Sequence, residues 1–314
     1  MGVRIKAPSR IHITLIDLNG SIGRVDGGIG LALEFPYIEI KASDCDEVIV
    51  IGDFENRGRF ENVATKFHEK FGKGIEVEIL ESFPSHIGLG SGTQISLAVG
   101  KAYAELHGMD MSVREIAEFT GRGGTSGIGV AVFEHGGFIV DGGHSRRQKS
   151  GFLPSSFSRA PPPPVIARYD FPDWEVHLFV PTQKGFAGLK EKDLFERNTP
   201  VSMGDVRALS HIILMKLMPA IVEHDLDELS KAVYRIQHLG FKKAEVSQYG
   251  DVAWGFIELL KDYGAVGLSS TGPTLYFIGS RKHAREGERY LEEKGIEHWY
   301  VRSRARNRGA EVGV

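Results

Sequence analysis

The sequence predicts an α+β protein of two domains, and three observations carry that expectation. Alternating apolar runs of strand period are mixed with helical periodicities, without a strict β-α-β rhythm. A polar, basic stretch and then four consecutive prolines, within 145–164, interrupt both patterns. The chain has 314 residues, enough for two ordinary domains. The expected division is an N-terminal domain over 1–164 and a C-terminal domain over 165–314.

Ile11, Ile13 and Leu15 alternate with His12 and Thr14, which is strand period, and the turn Asp26-Gly27-Gly28-Ile29-Gly30 leads into the run Leu31-Ala32-Leu33. Val48 to Ile51 is a short strand. Val63, Phe67 and Phe71 recur at helical spacing, and Ile75 to Ile79 alternates as a half-exposed strand. Beyond a Gly-rich stretch at 88–92, Ile95, Val99, Ala102, Tyr103 and Leu106 stripe one helix face. Ser112 and Glu115 make a capping box for the next helix. The basic stretch Ser145 to Gly151 and the run Pro161 to Pro164 read as a mobile loop and a domain junction.

The second half restarts with a strand at Val176 to Val180. Helices follow, with Leu209, Ile213 and Leu217 on one face, then Leu226, Leu229, Val233 and Ile236, then 254–263. Strands at Thr274 to Ile278 and Trp299 to Val301 flank a charged helix over 281–294. There is no internal repeat.

Composition narrows the function. With 41% hydrophobic and 25% charged residues the chain can build a large core. A net charge of -3 argues against bulk nucleic-acid binding, and the Arg302, Arg304, Arg306, Arg308 series reads as a solvated terminus. Cys45 is the only cysteine, so no intrachain disulfide or cysteine-based metal cluster is expected. Arg4 and Lys6 break any signal-peptide pattern, and no apolar run is long enough to span a bilayer. A cytoplasmic protein with neither nucleic-acid nor membrane partners is expected.

The strongest chemical signal is Pro84-Ser85-His86-Ile87-Gly88-Leu89-Gly90-Ser91-Gly92-Thr93-Gln94, between a strand and a helix. Glycines let backbone amides approach an anion, and a helix start offers unpaired N–H groups with a favourable dipole. Ser91 and Thr93 add hydroxyls. The segment is neither a Walker A motif nor a dinucleotide fingerprint, since Thr93-Gln94 follows the glycines. Phosphate or diphosphate binding by Gly88, Gly90, Ser91, Gly92, Thr93 and Gln94 is the expectation, against a ligand-free tight turn.

This segment resembles the phosphate-binding second motif of the GHMP small-molecule kinases. Lys6-Ala7-Pro8-Ser9-Arg10-Ile11 is similar to that family's opening strand, and Leu268 to Thr274 to its C-terminal Gly-rich loop. The resemblance implies a GHMP kinase-like fold, with an N-terminal α+β domain holding the anion loop and a ferredoxin-like C-terminal domain. One position departs. Many such kinases carry Ser-Gly-x-Asp where this chain has Ser126-Gly127-Ile128-Gly129, and glycine cannot take a proton from an acceptor hydroxyl.

Four segments, Arg10 to Asp17, Asp26 to Gly30, Gly121 to Gly129 and Gly136 to His144, resemble the β-ribofuranosylaminobenzene 5′-phosphate synthase family. That resemblance implies joining 5-phosphoribosyl 1-diphosphate to 4-aminobenzoate or 4-hydroxybenzoate, with loss of CO2 and diphosphate, for the methanopterin of many archaea. It also implies Mg²⁺, no organic cofactor and a homodimer. Arg10 and Arg122 are the expected anion-binding cations, because a guanidinium offers a bidentate fork. Lys184 is a third candidate, or an ordinary exposed loop lysine. Asp17, Asp26 and Asp141 are candidates for ribose hydroxyls or Mg²⁺, with Ser91 and Asp26 the metal candidates. An aspartate in a Gly-rich turn also serves simply as a turn former. His12 and His144 are acid–base candidates or structural histidines. A true GHMP kinase with its base elsewhere, and a non-catalytic ligand sensor, are the competing readings.

Overall fold

A computed structural model describes residues 2–52, 54–155, 157–183, 185 and 188–313. The N-terminal half contains β1 (Gly2–Asp17), β2 (Arg24–Ser43), β3 (Val48–Ile51), α1 (Arg57–Phe71), β4 (Ile75–Glu81), α2 (Ser91–Leu106), α3 (Val113–Thr120), α4 (Ile128–His135), β5 (Phe138–Asp141), β6 (His144–Ser145) and β7 (Val165–Tyr169). The C-terminal half contains β8 (Glu175–Pro181), α5 (Leu189–Asn198), α6 (Met203–Ile212), a π-helical turn (Ile213–Leu217), α7 (Met218–Val222), α8 (Leu226–Gln237), α9 (Gly240–Ser247) and α10 (Gly250–Leu260). It ends with β9 (Gly264–Leu268), β10 (Leu275–Gly279), α11 (Arg281–Glu293), β11 (His298–Arg304) and β12 (Glu311–Gly313).

β1 and β2 form a long antiparallel hairpin whose pairing runs from Gly2 with Ser43 to Asp17 with Asp26. Register shifts at Pro8/Ser9 and His12/Thr14 disturb the ladder where the candidate residues sit. β3 and β4 pair in parallel, so a crossover is required, and α1 supplies it. Among the described residues eight strands share this sheet, in the order β12-β1-β2-β4-β3, with β5 and β6 also on β2 and β7 on β5. α1 buries Phe60, Val63, Ala64 and Phe67, as its spacing demands. The predicted capping box is formed: Ser112 Oγ accepts from Glu115 N and Glu115 Oε2 accepts from Ser112 N. α2 is covered on more than one side, by β1, α1, α3 and α4, which is why it buries residues well beyond its predicted stripe.

The second sheet is antiparallel in the order β11-β8-β10-β9. Strand, helices, two strands, helix, strand is the ferredoxin-like connectivity. One apolar cluster joins the halves, running from Ile5, Ile40 and Phe67 to Val176, Leu229 and Tyr276.

Three segments differ from the sequence reading. The large sheet takes in β7 and, from the far end of the chain, β12, so its strands come from both sides of residue 164. The junction is pinned rather than loose: Arg114 donates to the Pro163 carbonyl at 3.0 Å and to that of Pro162, and Gly142 N donates to that of Pro164 at 2.9 Å. Arg306 of the supposedly solvated tail is 1% exposed, paired with Glu34 at 2.7 Å and Glu311 at 2.9 Å. Charge alone could not reveal that the tail returns to the sheet. Among the described residues no helix is long and apolar enough to cross a membrane.

Candidate functional site

Between β4 and α2 the chain turns through Gly88 (φ 84°) and Gly90 (φ 87°), a region L side chains rarely adopt. Gly90 precedes α2, and its carbonyl accepts from Thr93 N at 3.1 Å and Gln94 N at 3.2 Å. Helix geometry leaves the Ser91 and Gly92 N–H groups without an intrahelical acceptor. An ideal Cβ on Gly88 would lie 2.5 Å from the Ser269 carbonyl oxygen. The C-terminal Gly-rich loop therefore sits directly on the N-terminal one. Ser269 Oγ donates to Gly88 O at 2.7 Å, Thr274 Oγ1 to Ile87 O at 2.5 Å, and Gly185 N to His86 O at 3.1 Å.

Both predicted arginines reach this loop. Arg10 Nη1 donates to Gly88 O at 2.6 Å, and an ideal Cβ on Gly90 would lie 3.3 Å from Arg10 Nε. That Nε is buried without a hydrogen-bond partner among the described residues. Burial draws the Arg10 pKa down to about 10, with Glu245 and Glu191 opposing the shift. Arg122 Nε donates to Ser96 Oγ at 3.0 Å. Burial and then the charge of Arg59 lower its pKa. Arg59 escaped the sequence reading because, beside Arg57 and Gly58, it looks like part of a solvated helix start. Its guanidinium lies 2.5 Å from His86 Nε2.

His12 follows Arg10 on the same face of β1. Its N–H donates to Ser269 Oγ at 3.1 Å and its carbonyl accepts from Ser270 N at 2.8 Å, so the C-terminal loop fixes its backbone. The ring Nε2 lies 3.1 Å from Ser126 Oγ, while Nδ1 is buried without a hydrogen-bond partner among the described residues. Burial, then the charges of Arg10 and Lys242, hold this imidazole well below its usual pKa, hence neutral. An ideal Cβ on Gly28 would meet His12 Nε2 at 3.1 Å, Asp141 Oδ2 at 3.2 Å and Ser126 Oγ at 3.3 Å. Three polar tips converge on space that only glycine leaves open. Asp141 accepts from Gly127 N at 2.9 Å and Gly143 N at 3.0 Å, yet burial pushes its pKa up to about 7.

A second ionisable group backs the loop. Lys242 Nζ donates to Leu268 O at 3.1 Å and Ser270 O at 3.0 Å, and lies 2.5 Å from Glu245 Oε2. Burial lowers the Lys242 pKa and raises that of Glu245; burial and the Glu245 charge push Glu191 up to about 7. The Lys242–Glu245 spacing of three on α9 was the one sequence signal for this cluster.

Asp17 Oδ1 accepts from Asn19 N and Gly20 N, both at 2.8 Å, and so shapes the hairpin end, about 20 Å along β1 from Arg10. Asp26, at φ 67°, is buried against His144 Nδ1 at 2.6 Å and Lys149 Nζ at 2.9 Å. Lys149 Nζ also donates to Thr125 Oγ1 at 3.2 Å and Leu153 O at 3.1 Å, tying down the stretch expected to be mobile. His144 Nε2 lies 2.9 Å from Pro161 O. Asp26, engaged on both oxygens, does not fit a metal ligand, and Ser91 is buried in the loop. Among the described residues no three His, Cys, Asp or Glu side chains gather to hold a metal. Lys184 lies outside the described residues.

Gln94 Nε2 donates to Gly129 O at 2.8 Å, and an ideal Cβ on Gly129 would lie 3.1 Å from Thr93 Cγ2. A side chain at 129 would thus project at the first turn of α2. The GHMP kinases N terminal domain matches residues 59–137, and the GHMP kinases C terminal family matches 217–297. Homoserine kinase from Cytophaga hutchinsonii superposes with a TM-score of 0.68 at 16% identity, covering 99% of this chain and 97% of that one. Streptococcus pneumoniae phosphomevalonate kinase gives 0.68 at 12% identity, covering 96% and 99%. Fold and loop define the class: an enzyme of the GHMP kinase superfamily. Beta-ribofuranosylphenol 5′-phosphate synthase from Archaeoglobus fulgidus is 56% identical over 318 residues, 99% of this chain and 100% of the relative. The protein of that name from Methanocaldococcus jannaschii is 45% identical over 327 residues, 98% and 99% of the two chains. The chain belongs to the β-ribofuranosylphenol 5′-phosphate synthase family.

Proposed function

We propose that this enzyme transfers the phosphoribosyl group of 5-phosphoribosyl 1-diphosphate to 4-hydroxybenzoate, with 4-aminobenzoate as the alternative acceptor, releasing CO2 and diphosphate on the route to methanopterin. The observation that carries the reading is an anion loop backed by Arg10, with neutral His12 two residues on and Gly129 where many kinases keep a carboxylate. The phenol in the relatives' name favours the hydroxy acceptor.

The bond from C1′ to the diphosphate oxygen breaks, and its electron pair leaves with diphosphate. Amides of α2 and Arg10 stabilise that departing charge. The carboxyl-bearing ring carbon attacks C1′. Neutral His12 accepts the phenolic proton as charge develops in the ring and returns it when the C–CO2 electron pair restores aromaticity. The ring is its own electron sink, so no organic cofactor is required. Magnesium would enter with the diphosphate and help neutralise its charge.

The test uses carboxyl-labelled 4-hydroxybenzoate, phosphoribosyl diphosphate and Mg²⁺. Labelled CO2 should be released in proportion to the ribosylated phenol formed. Absence of CO2 release, with ATP-dependent phosphorylation of homoserine or mevalonate instead, overturns the reading.

A further inference from the structure

Two guanidiniums converge at the start of α2, on the Gly92 side. An ideal Cβ on Gly92 would lie 3.0 Å from Arg59 Nη1 and 3.2 Å from Arg122 Nη1, so the two nitrogens are at most about 6 Å apart. Each side chain has a neighbour that positions it: Arg122 Nε donates to Ser96 Oγ at 3.0 Å, and Arg59 Nη2 lies 2.5 Å from His86 Nε2. Neither guanidinium has a carboxylate within 4.0 Å among the described residues; Arg122 feels the like charge of Arg59, and Arg59 feels Glu55 at longer range. Two cations held this close repel unless an anion lies between them. Glycine at 92 keeps a side chain out of the space beside them.

We infer that Arg59 and Arg122 form a second anion subsite that takes the phosphomonoester end of the phosphoribosyl donor. The inference rests on the proposed reaction for the identity of the donor. A phosphate dianion matches two cations in charge, and two of its oxygens can bridge nitrogens at that separation. The assignment of ends follows from His12. The reacting C1′–diphosphate bond must lie beside the acceptor ring and its base, on the Arg10 side of the loop. The acceptor carboxylate leaves from the attacked carbon and must lie there too. The Arg59–Arg122 side is left for the end of the donor that does not react.

Calorimetric titration of ribose 5-phosphate and of diphosphate into the wild type, Arg59→Gln, Arg122→Gln and Arg59→Lys separates the two ends. Ribose 5-phosphate should weaken roughly ten- to hundredfold in each Gln variant and less in Arg59→Lys, while diphosphate changes about twofold or less. Thermal midpoints near wild type certify folding, and Arg59→Lys keeps the test usable if a Gln variant fails. Undiminished ribose 5-phosphate binding, its absence in the wild type, or an equal loss for diphosphate overturns the subsite. CO2 release by the wild type is scored separately. Release with Arg-independent ribose 5-phosphate binding overturns the subsite alone; no release with Arg-dependent binding overturns the synthase reading and leaves the subsite standing.

Discussion

Asp141 is fully buried, and although two amides stabilise its charged form, burial dominates and sets its pKa at about 7, with Asp26 adding to the rise and His144 opposing it. In the unfolded chain this carboxyl titrates near ~4. Between those values the fold retains a proton that the unfolded chain has released, so this group's contribution to stability falls as pH rises from about 4 to about 7 and is flat above. Asp141→Asn cannot titrate and should flatten that part of the profile. It also loses one amide acceptor, lowering stability by about 1–3 kcal/mol. Denaturation midpoints for both proteins across the window test this, and parallel slopes would mean that Asp141 is ionised in the fold. His12→Gln keeps a polar tip but no base. It should lower kcat for 4-hydroxybenzoate by roughly 10²–10⁴ with little change in KM for the donor. The loss should be smaller for 4-aminobenzoate, whose nitrogen lone pair donates without deprotonation; equal losses would make His12 structural.

The Gly-rich turn into α2 was legible as an element because glycines, hydroxyls and a helix start are consecutive in sequence, and the approach of Arg10 and Arg122 to it was legible through their Gly- and Pro-flanked segments. Arg59, Lys242 and Glu245 were not, because they reach the loop only after α1 and α9 have packed; the Lys242–Glu245 spacing shows a pair on α9 but not what it packs against. Asp17 and Asp26 stood in equally Gly-rich sequence, but they satisfy turn amides and a buried ion pair. Composition cannot distinguish those uses. Two left-handed glycines, Gly72 at the end of α1 and Gly88 in the loop, make a graded prediction. Gly72, at φ 73° with nothing among the described residues within 4 Å of an ideal Cβ, should tolerate alanine at a cost of about 1 kcal/mol of backbone strain. Gly88→Ala adds a collision with the Ser269 carbonyl, so it should cost more than about 3 kcal/mol and weaken diphosphate binding. Comparable thermal midpoints for the two variants would show that the loops are not seated on each other as described.

At the scale of the whole molecule, the candidate site is also the seam. The fold class was legible from alternating periods, whereas the return of the C-terminal residues to the first sheet was not, because strand partners distant in sequence leave no local trace. Ser269, Ser270 and Thr274 of one half bond to Gly88, His12 and Ile87 of the other, and one apolar cluster continues through both sheets. Halves coupled in this way should unfold together, in one transition for all probes. Thr274→Val probes the coupling with little change of shape. It removes the hydroxyl that donates to Ile87 O at 2.5 Å, inside a buried seam, leaving that carbonyl without this partner. The expected cost is about 1–3 kcal/mol. That loss should appear as a lower midpoint of a transition that stays single, and diphosphate affinity should fall with it, because the carbonyl belongs to the residue preceding Gly88. Two resolved transitions in the wild type would refute the shared seam. A destabilised Thr274→Val protein with unchanged diphosphate affinity would show that the C-terminal loop supports the fold without shaping the anion site.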